Sequence, residues 1–258
     1  MRRRHYLKQL TLAATVGSLA IVLSIGASKP SIANAQSSSQ RHDIRQGLPG
    51  RRISGGSRSP ISACLTTPNQ PVVAIMPRNN IGLTLSEHPT FWFSLPAVNL
   101  DKTLEFRLQD QTGNLIYKQS FAASGEAGIA SLSLPNTSTP LTIEKNYQWY
   151  LSVVCDPDNR SEDLLVAGWI RRVQAPKFLS DTQIANATWQ ERLQAYKTSN
   201  LWFETLATLT EFSRMPSLDS ATAQKVSEQW QELLDSADLT QVGLMPFSNQ
   251  PIQPLNTL

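Results

Sequence analysis

The sequence predicts a mainly β protein, a two-layer sandwich of about seven strands followed by a small α-helical C-terminal unit. Three observations predict it. Between about Val72 and Val173, short apolar or alternating runs recur between turn residues. A Leu stands six residues ahead of a Tyr that opens an aromatic run, in the pair Leu141 and Tyr147. After Pro176 the apolar period changes from two to that of a helix. The Leu–Tyr spacing is that of the tyrosine corner, which points to an immunoglobulin- or fibronectin III-like sandwich.

The strands follow in order: VVAIM, TFWFSL, LEFRLQD, LIYKQSF, GIASLSL, YQWYLSVVC and LLVAGWIRRV. Their β-branched and aromatic side chains suit a pleated, half-buried surface. QTGN, residues 111–114, is a turn signal that joins the third run to the fourth as a hairpin. In the third run Leu104, Phe106 and Leu108 alternate with Glu105, Arg107 and Gln109, so one face is buried and the other wet. Likewise Tyr147, Trp149, Leu151 and Val153 share the core face, and Gln148, Tyr150, Ser152 and Val154 the opposite one.

Three helices are expected beyond Pro176. Ser180 with Gln183 reads as a capping box, and Ala185, Trp189, Leu193 and Tyr196 recur on one face of the first helix. TSN breaks the chain; the second helix carries Trp202, Leu206 and Leu209 and stops at Pro216. A third starts near Asp219 with Val226, Trp230, Leu233 and Leu234. Trp189, Tyr196, Leu209 and Pro216 loosely match one tetratricopeptide-like hairpin, which cannot bury its own apolar face and so packs on the sandwich or on a partner.

The N-terminus reads as an export signal. Arg2, Arg3 and Arg4 precede an uncharged apolar run, and SIANAQ places small residues for cleavage between Ala35 and Gln36. RRHYLK resembles a twin-arginine signal, so the Sec and twin-arginine routes both stand. Residues 1–35 hold five of the 23 Lys and Arg and no acid, which leaves 18 basic against 20 acidic residues after cleavage. The basicity belongs to the signal, and neither a nucleic-acid partner nor a lasting membrane anchor is expected. Residues 36–62 read as a Ser-, Gly- and Arg-rich flexible leader, either a solvated linker or an anion-binding arm through Arg41, Arg45, Arg51, Arg52 and Arg58. The sandwich occupies 63–176, the helices 177–240, and an extended tail 241–258.

Chemistry-bearing residues are sparse. Only His42 and His88 remain after cleavage, and no HExxH, GxSxG or Walker-type loop occurs. Cys64 and Cys155, in an oxidising compartment, are expected to pair. The stretch CDPDNRSEDL crowds four acids together, and Asp156, Asp158 and Arg160 alternate as at the start of a calcium loop. That loop needs oxygen ligands at its first, third and fifth positions, Gly at the sixth and Glu at the twelfth. Arg160, Ser161 and Ala167 stand at the last three, so the stretch reads as an acidic turn between strands. No catalytic set, metal or cofactor is expected.

GLPGRR, GLTLSEHPTFWFSLP, YQWYLSVVCDPDNRSEDLLVAGWIRRV and LWFETLATLTEF together resemble a cyanobacterial family of exported proteins known as domain of unknown function 928. The resemblance spans about Gly47 to Leu239. It implies cyanobacterial origin and export, and it carries over no activity, ligand or catalytic residue. The expected function is therefore that of a periplasmic or extracellular binding protein whose partner is an envelope protein or polymer. Its surface is expected at the sandwich edge around Trp169, Arg171 and Arg172, near Asp156, Asp158 and Arg160, since Trp and Arg dominate binding hot spots. Trp169 in the core with both arginines solvated is the competing assignment. An envelope-polymer hydrolase using paired carboxylates is the alternative function.

Overall fold

Eight strands form two sheets in the computed structural model, which describes residues 48–55, 64–66, 70–179, 181–247 and 252. The strands are β1 (Val73–Ala74), β2 (Ile81–Thr84), β3 (Thr90–Leu95), β4 (Thr103–Asp110), β5 (Leu115–Ala122), β6 (Gly128–Ser133), β7 (Asn146–Val154) and β8 (Leu164–Arg172). The larger sheet runs β2-β8-β7-β4-β5 and the smaller β1-β3-β6. All pairings are antiparallel except β2 with β8. Seven strands match the expected runs. The eighth, β2, comes from IGLT, too short and Gly-containing to stand out as a strand.

The inward faces meet through aromatic rings. Phe91 of β3 lies 4.9 Å from Phe106 of β4 and 5.7 Å from Trp149 of β7, and Phe93 lies 5.6 Å from Trp149. All four are essentially inaccessible. The predicted alternation holds: Leu104, Phe106, Leu108, Tyr147, Trp149, Leu151 and Val153 are buried, and their neighbours on the opposite face are not, save Val154 at the strand end. Tyr147 reaches back across the corner, and its hydroxyl accepts the Thr142 N–H at 3.0 Å.

Four helices follow: α1 (Asp181–Asn186), α2 (Trp189–Thr198), α3 (Trp202–Ser213) and α4 (Ser220–Ser236). The expected first helix is thus two. Thr188 caps α2, accepting from the Glu191 N–H while the Glu191 carboxylate accepts from Thr188, a reciprocal cap that breaks the chain after α1. Ser180 lies outside the described residues. α2 and α4 each close through a left-handed non-glycine residue, Asn200 and Asp238, after which Leu201 and Leu239 donate back to Tyr196 and Leu234.

The helices share the core of the sheets. Val226, Trp230, Leu233 and Leu234 belong to the same buried cluster as the β-strand residues. Phe203 of α3 meets Phe91 of the small sheet at 5.5 Å and lies against Gly82 of β2. A Cβ at Gly82 would sit 2.5 Å from the Phe203 ring, so glycine here admits the helix. Arg52 and Arg78 donate to the last carbonyls of α4, at Ala237 and Ser236, where cations complement the helix terminus.

Two expected segments differ. Within the supposed flexible leader, Arg51 pairs with Ala167 of β8 and Ile53 with Val73 of β1, so residues 51–53 strap the two sheets together. Composition missed this because the strap is held by backbone hydrogen bonds, which need no apolar side chains. Gly50 lies so close to Asn80 and the Ala167 carbonyl that a side chain there would clash. In the tail, Thr240–Leu244 form a 3-10 turn, and the Pro246 carbonyl then accepts from Ile129 beside β6. No helix among the described residues is long and apolar enough to cross a membrane.

Candidate functional site

The outward face of the five-stranded sheet gathers polar and aromatic side chains into register. Because side chains alternate along a strand, the outward residues of β4, β7 and β8 form rows across the sheet. One row is Gln109, Gln148 and Trp169; the next is Arg107, Tyr150 and Ala167, with Lys118 of β5 beside Arg107. The amide of Gln109 donates to the Tyr150 hydroxyl at 3.2 Å and to Gln148 at 3.4 Å. The Arg107 guanidinium lies over the Tyr150 ring, 4.7 Å from its centre. The indole N–H of Trp169 donates to the Pro49 carbonyl of the strap at 2.8 Å, which fixes the ring's orientation. Trp169, Tyr150, Gln148 and Gln109 are half-exposed and Arg107 and Lys118 exposed.

A charged group lies on the same face. Glu105 pairs with Lys118 at 2.8 Å and Arg160 at 3.4 Å, and Arg160 pairs with Asp163 at 2.7 Å. Burial pushes the Glu105 carboxyl up, but Lys118 and Arg160 outweigh it and hold the group below its ordinary value.

The expected surface residues fall in two places. Asp156, Asp158 and Arg160 lie before β8, whereas Trp169, Arg171 and Arg172 lie at its far end, on the order of 20 Å away along the strand. β8 is also paired on both sides, so these residues do not line a sheet edge. Trp169 belongs to the outward face. Arg171 forms an ion pair with Glu144. Arg172 points the other way and ties the strand end to the Leu85 and Leu141 carbonyls and to Glu87. The alternation of β4 and β7 marked Arg107, Gln109, Gln148 and Tyr150 as outward-facing. What the sequence lacked was the pairing of β4 with β7, which brings them together across the intervening β5 and β6.

The acidic stretch is a turn between β7 and β8. Asp156 accepts from the Asp158 N–H at 2.9 Å, Asn159 donates to Glu162, and Arg160–Glu162 form a 3-10 turn. Among the described residues no group of three or more His, Cys, Asp or Glu is placed to share a metal ion. Cys155 is bonded to Cys64, 91 positions away. His88 donates its ring Nε2 to the Ser138 carbonyl at 3.1 Å, in a turn. His42, Arg41, Arg45, Arg58, Ala35 and Gln36 lie outside the described residues.

A cleft of about 210 Å³ opens where the strap and the small sheet meet the turn after α4. Val73, Pro96, Leu239, Val242 and Met245 make it largely apolar. Among its described lining residues the one carboxylate, Asp238, is in an ion pair with Arg78, so those residues supply no carboxylate pair for glycoside hydrolysis.

No curated protein matches this chain by sequence. Among solved structures, the fusolin spindles of Wiseana spp entomopoxvirus align with a TM-score of 0.26 and 10% identity, covering 62% of this chain and 58% of that one. This chain therefore spans little more than half of that protein, and so distant a likeness carries no argument. The match that does carry one is to the family described as Domain of Unknown Function (DUF928), over residues 53–247. Those residues take in every strand and helix among the described residues, and the chain belongs to that family.

Proposed function

We propose that this chain is an exported binding protein of a cyanobacterial envelope, periplasmic or extracellular, which recognises its partner through the outward face of the five-stranded sheet. The observation that carries the reading is the mutual restraint of Arg107, Gln109, Gln148, Tyr150 and Trp169. Trp, Tyr and Arg are the side chains that dominate binding hot spots. Here they are held in place by each other and by the strap before any partner arrives, which lowers the ordering cost of association.

The finer fold assignment is an immunoglobulin-like sandwich. In its support, β8, β7, β4 and β5 follow the order of the G, F, C and C′ strands, β1 and β2 divide between the two sheets, and Tyr147 opens the F-equivalent strand. Export is supported by the N-terminal sequence and by the Cys64–Cys155 pair, which suits an oxidising compartment.

The test is in-cell photocrosslinking from single positions of the full chain, Gln148 on the face and, as a control, the exposed Leu244 in the 3-10 turn after α4. Discrete adducts from Gln148 and none from Leu244 are expected. Equal or absent adducts at both positions would remove the face as the binding surface. Fractionation of the same cells checks the compartment; a protein found only in the cytoplasm overturns export.

A further inference from the structure

We infer that the outward face takes an anionic polysaccharide, with Arg107 reading its carboxylates; this rests on the face being the binding surface. Arg107 and Lys118 are direct cross-strand partners on β4 and β5. Two cations side by side repel, and such a pair calls for an anion nearby. Lys118 has one in Glu105 at 2.8 Å. Arg107 makes no ion pair with a carboxylate among the described residues and lies instead over the Tyr150 ring. A guanidinium held over a ring keeps N–H donors for a planar oxyanion, which it can bind in bidentate fashion.

The neighbours of Arg107 define the rest of the ligand. The Tyr150 hydroxyl and the amides of Gln109 and Gln148 offer both donors and acceptors, as a hydroxyl-rich chain requires. The indole of Trp169, anchored through its N–H, presents an apolar ring surface that suits the C–H face of a sugar. Successive side chains across the sheet stand about 4.8 Å apart, the scale of one sugar ring. A peptide is the poorer fit. Peptides bind sheets by adding a strand at an open edge or by filling a groove, and β4, β7 and β8 are each paired on both sides.

The experiment is affinity electrophoresis of the full chain against three polymers: polygalacturonate, the same polymer with its carboxyls reduced to alcohols, and poly-L-glutamate. Polygalacturonate is expected to bind roughly tenfold more tightly than the reduced polymer, the scale of one charge-assisted contact. Arg107→Gln should bring the two to the same level without lowering the melting temperature, and Tyr150→Ala should weaken both. Equal binding of the charged and reduced polymers by the unaltered chain overturns the role of Arg107. Poly-L-glutamate binding as tightly as polygalacturonate, with the same Arg107 dependence, overturns the sugar and leaves an acidic-peptide site. Binding to none of the three, with Gln148 crosslinks still forming in cells, overturns this inference and leaves the binding face standing; loss of both overturns the two together.

Discussion

The hydroxyl of Tyr147 accepts the backbone N–H of Thr142 at 3.0 Å and so pins the turn before β7 to the strand it introduces. Tyr147 is only 6% exposed, and its ring forms part of the core. Tyr147→Phe keeps the ring and removes the acceptor. It should lower unfolding free energy by about 1 kcal/mol, read as a shift of the urea midpoint at constant slope. An unshifted midpoint would mean that water replaces the hydroxyl without cost.

The β4–β5 hairpin turns on Asp110. Its Oδ1 accepts from the Thr112 N–H, the Thr112 hydroxyl and the Asn114 N–H, and its Oδ2 from the Asn114 amide. These bonds, the Thr112 hydroxyl's foremost and then the Asn114 amide's, pull its pKa from 3.8 to about 2. The folded value lies below the unfolded one, so the stabilisation is complete above the unfolded pKa and is lost as pH falls through the folded one. Unaltered protein should exceed Asp110→Asn in stability at neutral pH. The two melting curves should converge as pH drops from about 4 towards 2; parallel curves over that range would deny Asp110 this role.

Glu204 shows the opposite sign. Its Oε1 accepts from the Thr84 hydroxyl and the Leu85 N–H, both at 2.7 Å, while its buried Oε2 has no hydrogen-bond partner among the described residues. Burial pushes this carboxyl up, and hydrogen bonding, from Thr84 first and then from the Leu85, Glu204 and Ser86 backbone, only partly opposes it. The group therefore stabilises the fold below its unfolded pKa, and that contribution is lost as pH rises through the higher folded value. Glu204→Gln keeps the Oε1 acceptor and removes the charge, so it should melt higher than the unaltered protein at pH 8 and equally at pH 4. Glu204→Ala strips Thr84 and Leu85 of their acceptor and should melt lower at both. A Glu204→Gln that melts lower at pH 8 would show that the carboxylate is satisfied after all.

Reduction of Cys64–Cys155 should cost about 4 kcal/mol, because it frees a loop of 91 residues in the unfolded chain. Urea unfolding with and without reductant, set beside the Cys64→Ser/Cys155→Ser double variant, measures it. Two alkylated cysteines in the unreduced protein would contradict the bond itself.

How far the sequence carried depends on whether the signal was local. Seven strands were legible because each holds its own period, and α4 because Asp219 and a long amphipathic stripe mark it. β2 was not, since a four-residue parallel strand owes its existence to β8 beside it and Phe203 against it. The break before α2 was present in the sequence as Thr188 and Glu191, but an unbroken apolar period ran through it. The site was half legible. Tyr150 and Gln148 could be assigned to the solvent face, and Trp169 singled out as an anchor. Their association with Arg107 and Gln109 needed a pairing that no local pattern encodes.

The strap also fixes an order of events. Arg52 sits near the start of the described chain, yet its guanidinium closes on the carbonyl of Ala237, 185 residues later. Its backbone meanwhile takes partners within that span, at Ala74 and, through Arg51, at Ala167. The backbone bonds of the strap need only β1 and β8, whereas the Arg52 side chain finds its acceptor at Ala237 only once the last long helix is seated. Proteolytic cleavage between Arg51 and Ile53 is thus expected to be faster in a chain that lacks α4, because one of the bonds that hold Arg52 comes from the end of that helix.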